Sequence, residues 1–206
     1  MAADEQALLQ RWIDGDTVAG EALFERYYKP LTRFFINKVS HAQDVEALVQ
    51  RTFMVVLEGA DKFRGASSVR TWFFGIARNL IRQHYDQRRR EAKIESDDFS
   101  VADMDAVGAS TLLRGKAEQR LLLHALRRLP LEAQVALELH YWEQMSSAQI
   151  GDVLGMPAAT VRGHLRKARA ELRDRLTELA QTPQLLESTT ADLEGWAHGL
   201  REVWGV

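Results

Sequence analysis

Ser146 to Leu172 reads SSAQIGDVLGMPAATVRGHLRKARAEL. A serine at its start caps a short helix through Leu154, with Ser146 and Ser147 both suited to the role. Gly155-Met156-Pro157 breaks the pattern, and a longer helix runs from Ala158 to about Leu179. Ile150, Val153, Leu154, Val161 and Leu165 fall at helical spacing and form a shared core between the two helices. The second helix carries Arg162, His164, Arg166, Lys167 and Arg169. A short helix, a tight glycine turn and a basic second helix match a DNA-reading helix-turn-helix. Thr160 and Arg162 lie near the helix start, where side chains reach base edges, and Arg166, Lys167 and Arg169 are placed for phosphates. Gly163 limits that position to backbone approach.

Helical spacing extends outward from this motif in both directions. Toward the N-terminus, Lys116 to Leu129 is amphipathic and stopped by Pro130, and Leu131 to Trp142 follows as another helix. Asp4 to Gly15 carries Leu8, Leu9, Trp12 and Ile13, and Asp16 or Thr17 starts the next helix. Glu21 to Lys38 places Leu23, Phe24, Tyr27, Tyr28, Leu31, Phe34 and Phe35 at intervals of three or four, with Pro30 inside. From Gln43 to Glu58, Val45, Leu48, Val49, Thr52, Phe53, Val55 and Val56 share one face, while Asp44, Ala47, Arg51 and Glu58 lie toward the other. Ser40 is placed to cap this helix. Val69 to Arg90 is aromatic at its start and basic at its end. No strand-like alternation of useful length occurs, so the expected fold is all-α. It comprises a helical domain over 1–92, an acidic linker over 93–114, a helix-turn-helix domain over 115–180, and a tail over 181–206. In that tail Leu193, Trp196, Leu200 and Trp204 fit the apolar stripe of a short amphipathic helix, for which docking on its own lobe, binding a partner or autoinhibition, and plain disorder are the alternatives.

Composition narrows the function classes. The 206 residues are 46% hydrophobic, enough to bury a core in one domain or two small ones. There are no cysteines, which excludes disulfides, thiolate catalysis and cysteine-ligated metals. Apolar runs fall well short of the roughly 20 residues of a membrane span. The first residues, MAADEQALLQRW, are acidic where a signal peptide is basic, so a soluble cytoplasmic protein is expected. The six histidines show no metal-ligand spacing with carboxylates, and no phosphate-cradling glycine loop or nucleophile motif appears. A catalytic role is not expected and no cofactor is implied.

The formal charge of −2 averages a segregated distribution. Arg78 to Arg90 holds five arginines against Asp86, and Arg162 to Arg175 holds six Lys/Arg against Glu171 and Asp174. Glu91 to Asp105 holds six acids against Lys93. Two basic segments flanking an acidic connector point to two polyanion-binding surfaces. Around the first, Phe63, Trp72 and Phe73 stand beside Arg64, Arg70, Arg78, Asn79 and Arg82. Stacking planes with cations suit unpaired bases, and Gly65, Ala66, Ser67 and Ser68 are small and polar as a base-holding loop requires. Trp72, Phe73 and Ile76 at helical spacing fit core packing equally well.

Taken together, FERYYKPLTRFF, DVEALVQRTF, DKFRGASSVRTWFFGIARNLIRQH and LRRLPLEAQVALELHYWEQMSSAQIGDVLGMPAATVRGHLRKARAEL resemble the bacterial sigma-70 family in its two-domain, extracytoplasmic-function class. The resemblance runs from about Ala22 to Leu176. It implies that the first lobe binds core RNA polymerase and melts the promoter −10 element, that the second reads the −35 element, and that the polymerase does the chemistry. By position, Asp44, Glu46, Ala47, Leu48, Gln50 and Arg51 would meet the beta-prime clamp helices. Phe63, Arg64, Ser67, Ser68, Arg70, Trp72, Arg78, Asn79 and Arg82 would serve the −10 strand. Thr160, Arg162, His164, Arg166, Lys167 and Arg169 would approach −35 DNA.

One departure stands out. Family members usually read close to D-A-E-D-L-V-Q-E-T-F in the docking helix, whereas Ala47 and Arg51 replace two acids here. That makes the face more positive by about three charges against a basic partner, and like-charge juxtaposition is costly. Phosphorylation adds about −1.5 to −2 at pH 7. Thr52 is the hydroxyl next to Arg51, with Ser40 as a second candidate, and a Ser/Thr-kinase-associated subset of the family lacks the same acids. The alternatives are restraint by an anti-sigma protein, or a helix-turn-helix regulator acting without polymerase. The last leaves the whole first lobe without a role.

Overall fold

The computed structural model describes residues 2–39, 41–60, 63, 65, 67–92, 117–192 and 195. Every regular element among them is an α-helix: α1 Ala2–Ile13, α2 Thr17–Ile36, α3 Ala42–Glu58, α4 Val69–Ala92, α5 Ala117–Arg127, α6 Leu131–Tyr141, α7 Ser147–Leu154, α8 Ala158–Leu179 and α9 Pro183–Ala191. The all-α expectation holds. The acidic linker and the stripe from Leu193 to Trp204 fall outside the described residues.

Helices α1 to α4 pack as a first lobe and α5 to α9 as a second. The first lobe is built on rings. Tyr27 of α2 stacks on Phe73 of α4 with centroids 4.2 Å apart and planes 8° apart. Phe53 of α3 meets Phe73 edge-on at 5.5 Å and Phe24 at 4.9 Å. Phe34 meets Phe74 at 5.7 Å. Such pairs add to area burial because the positive ring edge meets a negative face. Asp16, not Thr17, caps α2, accepting from Val18 and Ala19 backbone N–H groups at 3.0 and 3.2 Å. Helix α2 then runs through Pro30 to Ile36. The cap expected of Ser40 is not seen: His41 occupies the N-cap position of α3 without a side-chain cap bond, and Ser40 lies outside the described residues.

The second lobe is aliphatic and locally punctuated. Ser146 caps α7 in a full capping box: its hydroxyl accepts from Gln149 N–H at 3.3 Å, and the Gln149 side chain accepts from Ser146 N–H at 2.9 Å. Gly155 ends the helix at φ 72°, in the left-handed region that favours glycine. Gly151 is needed for the same turn, since a Cβ there would sit 2.5 Å from the Met156 carbonyl. In the tail, helix α9 at Pro183–Ala191 precedes the stripe on which the sequence places a short amphipathic helix. Thr182 caps it through Leu185 N–H at 3.2 Å with Pro183 in the first turn, and it packs on α5.

Between the lobes α4 packs against α7, and one cluster of buried apolar residues runs through both halves. A buried polar network crosses the same junction. Lys38 is fully buried and pairs with Glu138, which also accepts from Asn37 at 3.0 Å and Gln134 at 2.9 Å. Arg127 donates to Asn37 Oδ1 at 3.2 Å. Burial pulls the Lys38 ammonium below its ordinary pKa, opposed by the Glu138 carboxylate.

Candidate nucleic-acid and docking surfaces

The best-defined surface is the outer face of α8. Val161, Leu165, Ala168, Leu172 and Leu176 are buried, which fixes the helix rotation and turns Thr160, Arg162, Gly163, His164, Arg166 and Lys167 outward and exposed. A Cβ at Gly163 would touch nothing within 4 Å, so internal packing does not require glycine there. Arg169 differs from the expectation of a free phosphate contact. It is half-buried, its Nε donates to the Tyr141 hydroxyl at 2.8 Å, and its guanidinium lies 5.4 Å from the Tyr141 ring centre. Arg169 sits at the edge of the stripe, within reach of α6, and is held there. Lys167 pairs with Glu171 at 3.5 Å, an exposed contact of little energetic weight.

The aromatic–basic region resolves into two layers. Phe73 is fully buried in the ring core, so it is core and not a stacking plane. Trp72, half-buried, stacks on Phe63 with centroids 4.8 Å apart and planes 29° apart, forming a platform at the lobe surface. The Ser68 hydroxyl accepts from Thr71 N–H at 3.0 Å and bonds the Thr71 hydroxyl at 2.8 Å, so it serves the start of α4. Ser67 is half-buried, and Arg64 lies outside the described residues. Asn79 is exposed and accepts from Arg78 at 3.2 Å.

The described cations of this region, Arg70, Arg78 and Arg82, already have partners. Arg70 Nη2 lies 2.6 Å from Glu143, which also takes Arg33 at 2.9 Å. Arg78 grips Glu132 through Nη2 at 2.6 Å and Nε at 3.4 Å, with Arg82 Nε 3.9 Å from the same carboxylate. Glu132 and Glu143 belong to the second lobe. Sequence reading passed over both, because partners 54 and 73 residues distant leave no periodic signal.

On α3 the buried arc is Val45, Val49, Thr52, Phe53 and Val56, leaving Glu46, Ala47, Gln50 and Arg51 exposed with Leu48 half-buried. Met54 and Leu57, 52% and 45% exposed, share that outward face. Of the two expected docking acids, Asp44 is half-buried and paired with Arg88 of α4 at 3.5 Å. Glu46 accepts from Gln50 at 3.5 Å, and Arg51 reaches Glu58 at 3.5 Å. Thr52 has no exposed surface, and its hydroxyl donates to the Leu48 carbonyl at 2.7 Å.

Comparison with known proteins bears on the two lobes as wholes. Residues 23–91 match the sigma-70 region 2 family and residues 119–172 match sigma-70, region 4. The chain is 33% identical over 153 residues to the RNA polymerase sigma factor HrpL of Pseudomonas syringae pv. syringae, covering 73% of this chain and 83% of that one. It is 28% identical to the RNA polymerase sigma factor YlaC of Bacillus subtilis, covering 77% and 92%. Among solved structures it shares its fold with CnrH, in a complex with the cytosolic domain of CnrY, at a TM-score of 0.64 and 23% identity over 86% of this chain and 99% of that one. No described helix is long and apolar enough to cross a membrane.

Proposed function

This chain belongs to the sigma-70 family, in its extracytoplasmic-function class, and from that premise we propose how its docking helix is controlled. A sigma factor lends promoter recognition to core RNA polymerase. In this reading the chain carries no catalytic residue: α8 presents Thr160, Arg162, His164, Arg166 and Lys167 to −35 duplex, and the Phe63–Trp72 platform with its arginines serves the −10 strand.

The observation that carries the regulatory reading is the outward face of α3. Glu46 is the one carboxylate left free of an opposing cation among the described docking positions, Asp44 being tied to Arg88, and Ala47 and Arg51 stand exposed where family members carry acids. Facing the basic beta-prime clamp helices, such a surface repels where it ought to attract. Docking then waits for added negative charge. A Ser/Thr kinase acting within the docking helix would supply about −1.5 to −2 charges at pH 7. Thr52, next to Arg51, is the favoured acceptor. Its burial means that α3 must lift from α2 and α4 before a kinase reaches the hydroxyl, and a dianion there would hold the helix out of its present seat.

Restraint by an anti-sigma protein is the second reading. It is favoured by the shared fold with CnrH and with RpoE of Bartonella quintana, the latter at a TM-score of 0.59 and 22% identity. CnrH was solved in complex with the cytosolic domain of CnrY, and RpoE in complex with the anti-sigma factor NepR.

Association with purified core polymerase separates the readings. Ala47→Asp with Arg51→Glu changes two exposed positions and is expected to raise affinity at least tenfold without a kinase, whereas the unphosphorylated wild type and Thr52→Ala bind weakly. Tight binding by the unphosphorylated wild type would sink the charge argument and leave the anti-sigma reading.

A further inference from the structure

Three glycines lie within the helix-turn-helix, and two of them have reasons inside the protein. Gly155 takes the left-handed turn at φ 72°, and a Cβ on Gly151 would press on the Met156 carbonyl at 2.5 Å. Gly163 has neither reason. It stands in the second turn of α8 with a φ outside the left-handed region, and a Cβ there would meet nothing within 4 Å among the described residues. Glycine inside a helix is less favourable than alanine, because it has more backbone freedom to lose. The packing of the described residues does not offset that cost.

The position is central on the face turned outward. At the helical advance of about 100° per residue, Ala159, Gly163 and Ala170 fall within roughly 40° of one line along α8, and all three are exposed. Thr160 and Lys167 flank that line on one side, and Arg162 and Arg166 on the other, all exposed as well. The face is a bare spine between two polar edges. A helix with its side chains is about 10–12 Å across, and the major groove is about 12 Å wide and 8.5 Å deep. How far a helix sinks there is set by the side chain that points at the groove floor.

We infer, on the reading of α8 as the −35 helix, that Gly163 is a specificity-determining residue. The missing side chain lets α8 sink until base-pair edges lie against its backbone. Base pairs beneath Gly163 are then read by fit, while Arg162, Arg166 and Lys167 are brought within reach of their own partners on either side. A Cβ stands about 1.5 Å from its Cα, so even alanine holds the helix off the floor and lengthens every base contact together. Fold stability and recognition therefore move in opposite directions when this residue is replaced.

The test uses the full-length chain and fluorescein-labelled duplexes three helical turns long, read by anisotropy. Wild type first selects its preferred duplex from a pool randomised over the central turn, and a scrambled duplex of the same composition is the reference. Gly163→Ala is expected to raise the melting midpoint by about 2–4 °C, alanine being the better helix former. It should weaken binding to the selected duplex on the order of tenfold, the scale of one lost base contact. Binding to the scrambled duplex is carried by phosphate contacts and should stay within about twofold of wild type. Gly163→Leu keeps a good helix former and should weaken the selected duplex further. Thr177→Ala, exposed farther along the same helix, changes helix propensity without adding bulk to the face and should leave both affinities unmoved. Gly163→Ala that binds the selected duplex as tightly as wild type overturns the inference and leaves the −35 reading intact. A loss in Gly163→Ala that is no deeper in Gly163→Leu assigns the effect to helix flexibility and overturns the close approach. Wild type that selects no duplex overturns the −35 reading of α8, and the role of Gly163 with it.

Discussion

Rings hold the first lobe and aliphatic chains hold the second, and the two lobes define their helices differently. In α1–α4 the specifying contacts are distant in sequence: Tyr27 on Phe73, Phe24 on Phe53, Phe34 on Phe74. In α7–α8 they are local: a capping box at Ser146, a left-handed glycine at 155, and a carbonyl of Met156 resting on Gly151. The first lobe must present a broad surface of mixed chemistry, and large rigid rings fix several helices at once. The second must set the angle between two short helices, which a turn does more sharply than a core.

That contrast can be broken by mutation. The largest effect is expected from Phe73→Ala, which removes the ring shared by Tyr27, Phe53 and Trp72. It should cost about 3–5 kcal/mol, seen as an early denaturant transition confined to the first lobe, with −35 duplex binding retained below that transition. A single concerted transition would show instead that the apolar cluster spanning both lobes governs folding. Gly151→Ala is expected to act only on the second lobe, at about 1–3 kcal/mol, with loss of duplex binding measured by anisotropy because α8 can no longer hold its angle to α7. Ser146→Ala should cost less, about 1 kcal/mol, and leave the first lobe's transition unmoved. An equal shift in both lobes would refute the claim that the turn is a local device.

The smallest effect concerns pH and sharpens the comparison from the other side. His124 on α5, exposed on the helix surface, is held below the ordinary histidine pKa by partial desolvation of its ring and then by Arg127, Arg128 and Arg120. The unfolded chain therefore takes up this proton before the folded one does. Stability from this group is full above pH about 6.5 and is lost as pH falls through the depressed folded value. His124→Gln should flatten the acid side of the second lobe's stability profile, shifting Tm by less than about 2 °C at pH 5.5, with no change in the first.

Much of this was legible in the sequence, and the reasons are local. Helical spacing located the major helices, and the buried face of α8 turned Thr160, Arg162, His164, Arg166 and Lys167 outward. What periodicity cannot give is the partner across a gap. Trp72 and Phe73 are adjacent and equally aromatic, and only packing against Tyr27 makes one core and leaves the other to stack on Phe63. Arg169 looked like its basic neighbours until Tyr141 of α6 came within reach. Glu132 and Glu143 carried no signal at all, though they meet the arginines on which the DNA-binding argument rests. In the tail the sequence places a short helix on the stripe from Leu193, whereas α9 starts earlier at Thr182-Pro183, a start signal weakened by the polar residues that follow.

Helix α9 carries a last consequence. Ser188 donates to Glu118 at 3.1 Å, which seats the final described helix against the first turn of α5. The second lobe therefore enters and leaves through one face, like a cassette closed by a clasp. A segment inserted at either of these neighbouring ends would leave the interior of the lobe undisturbed.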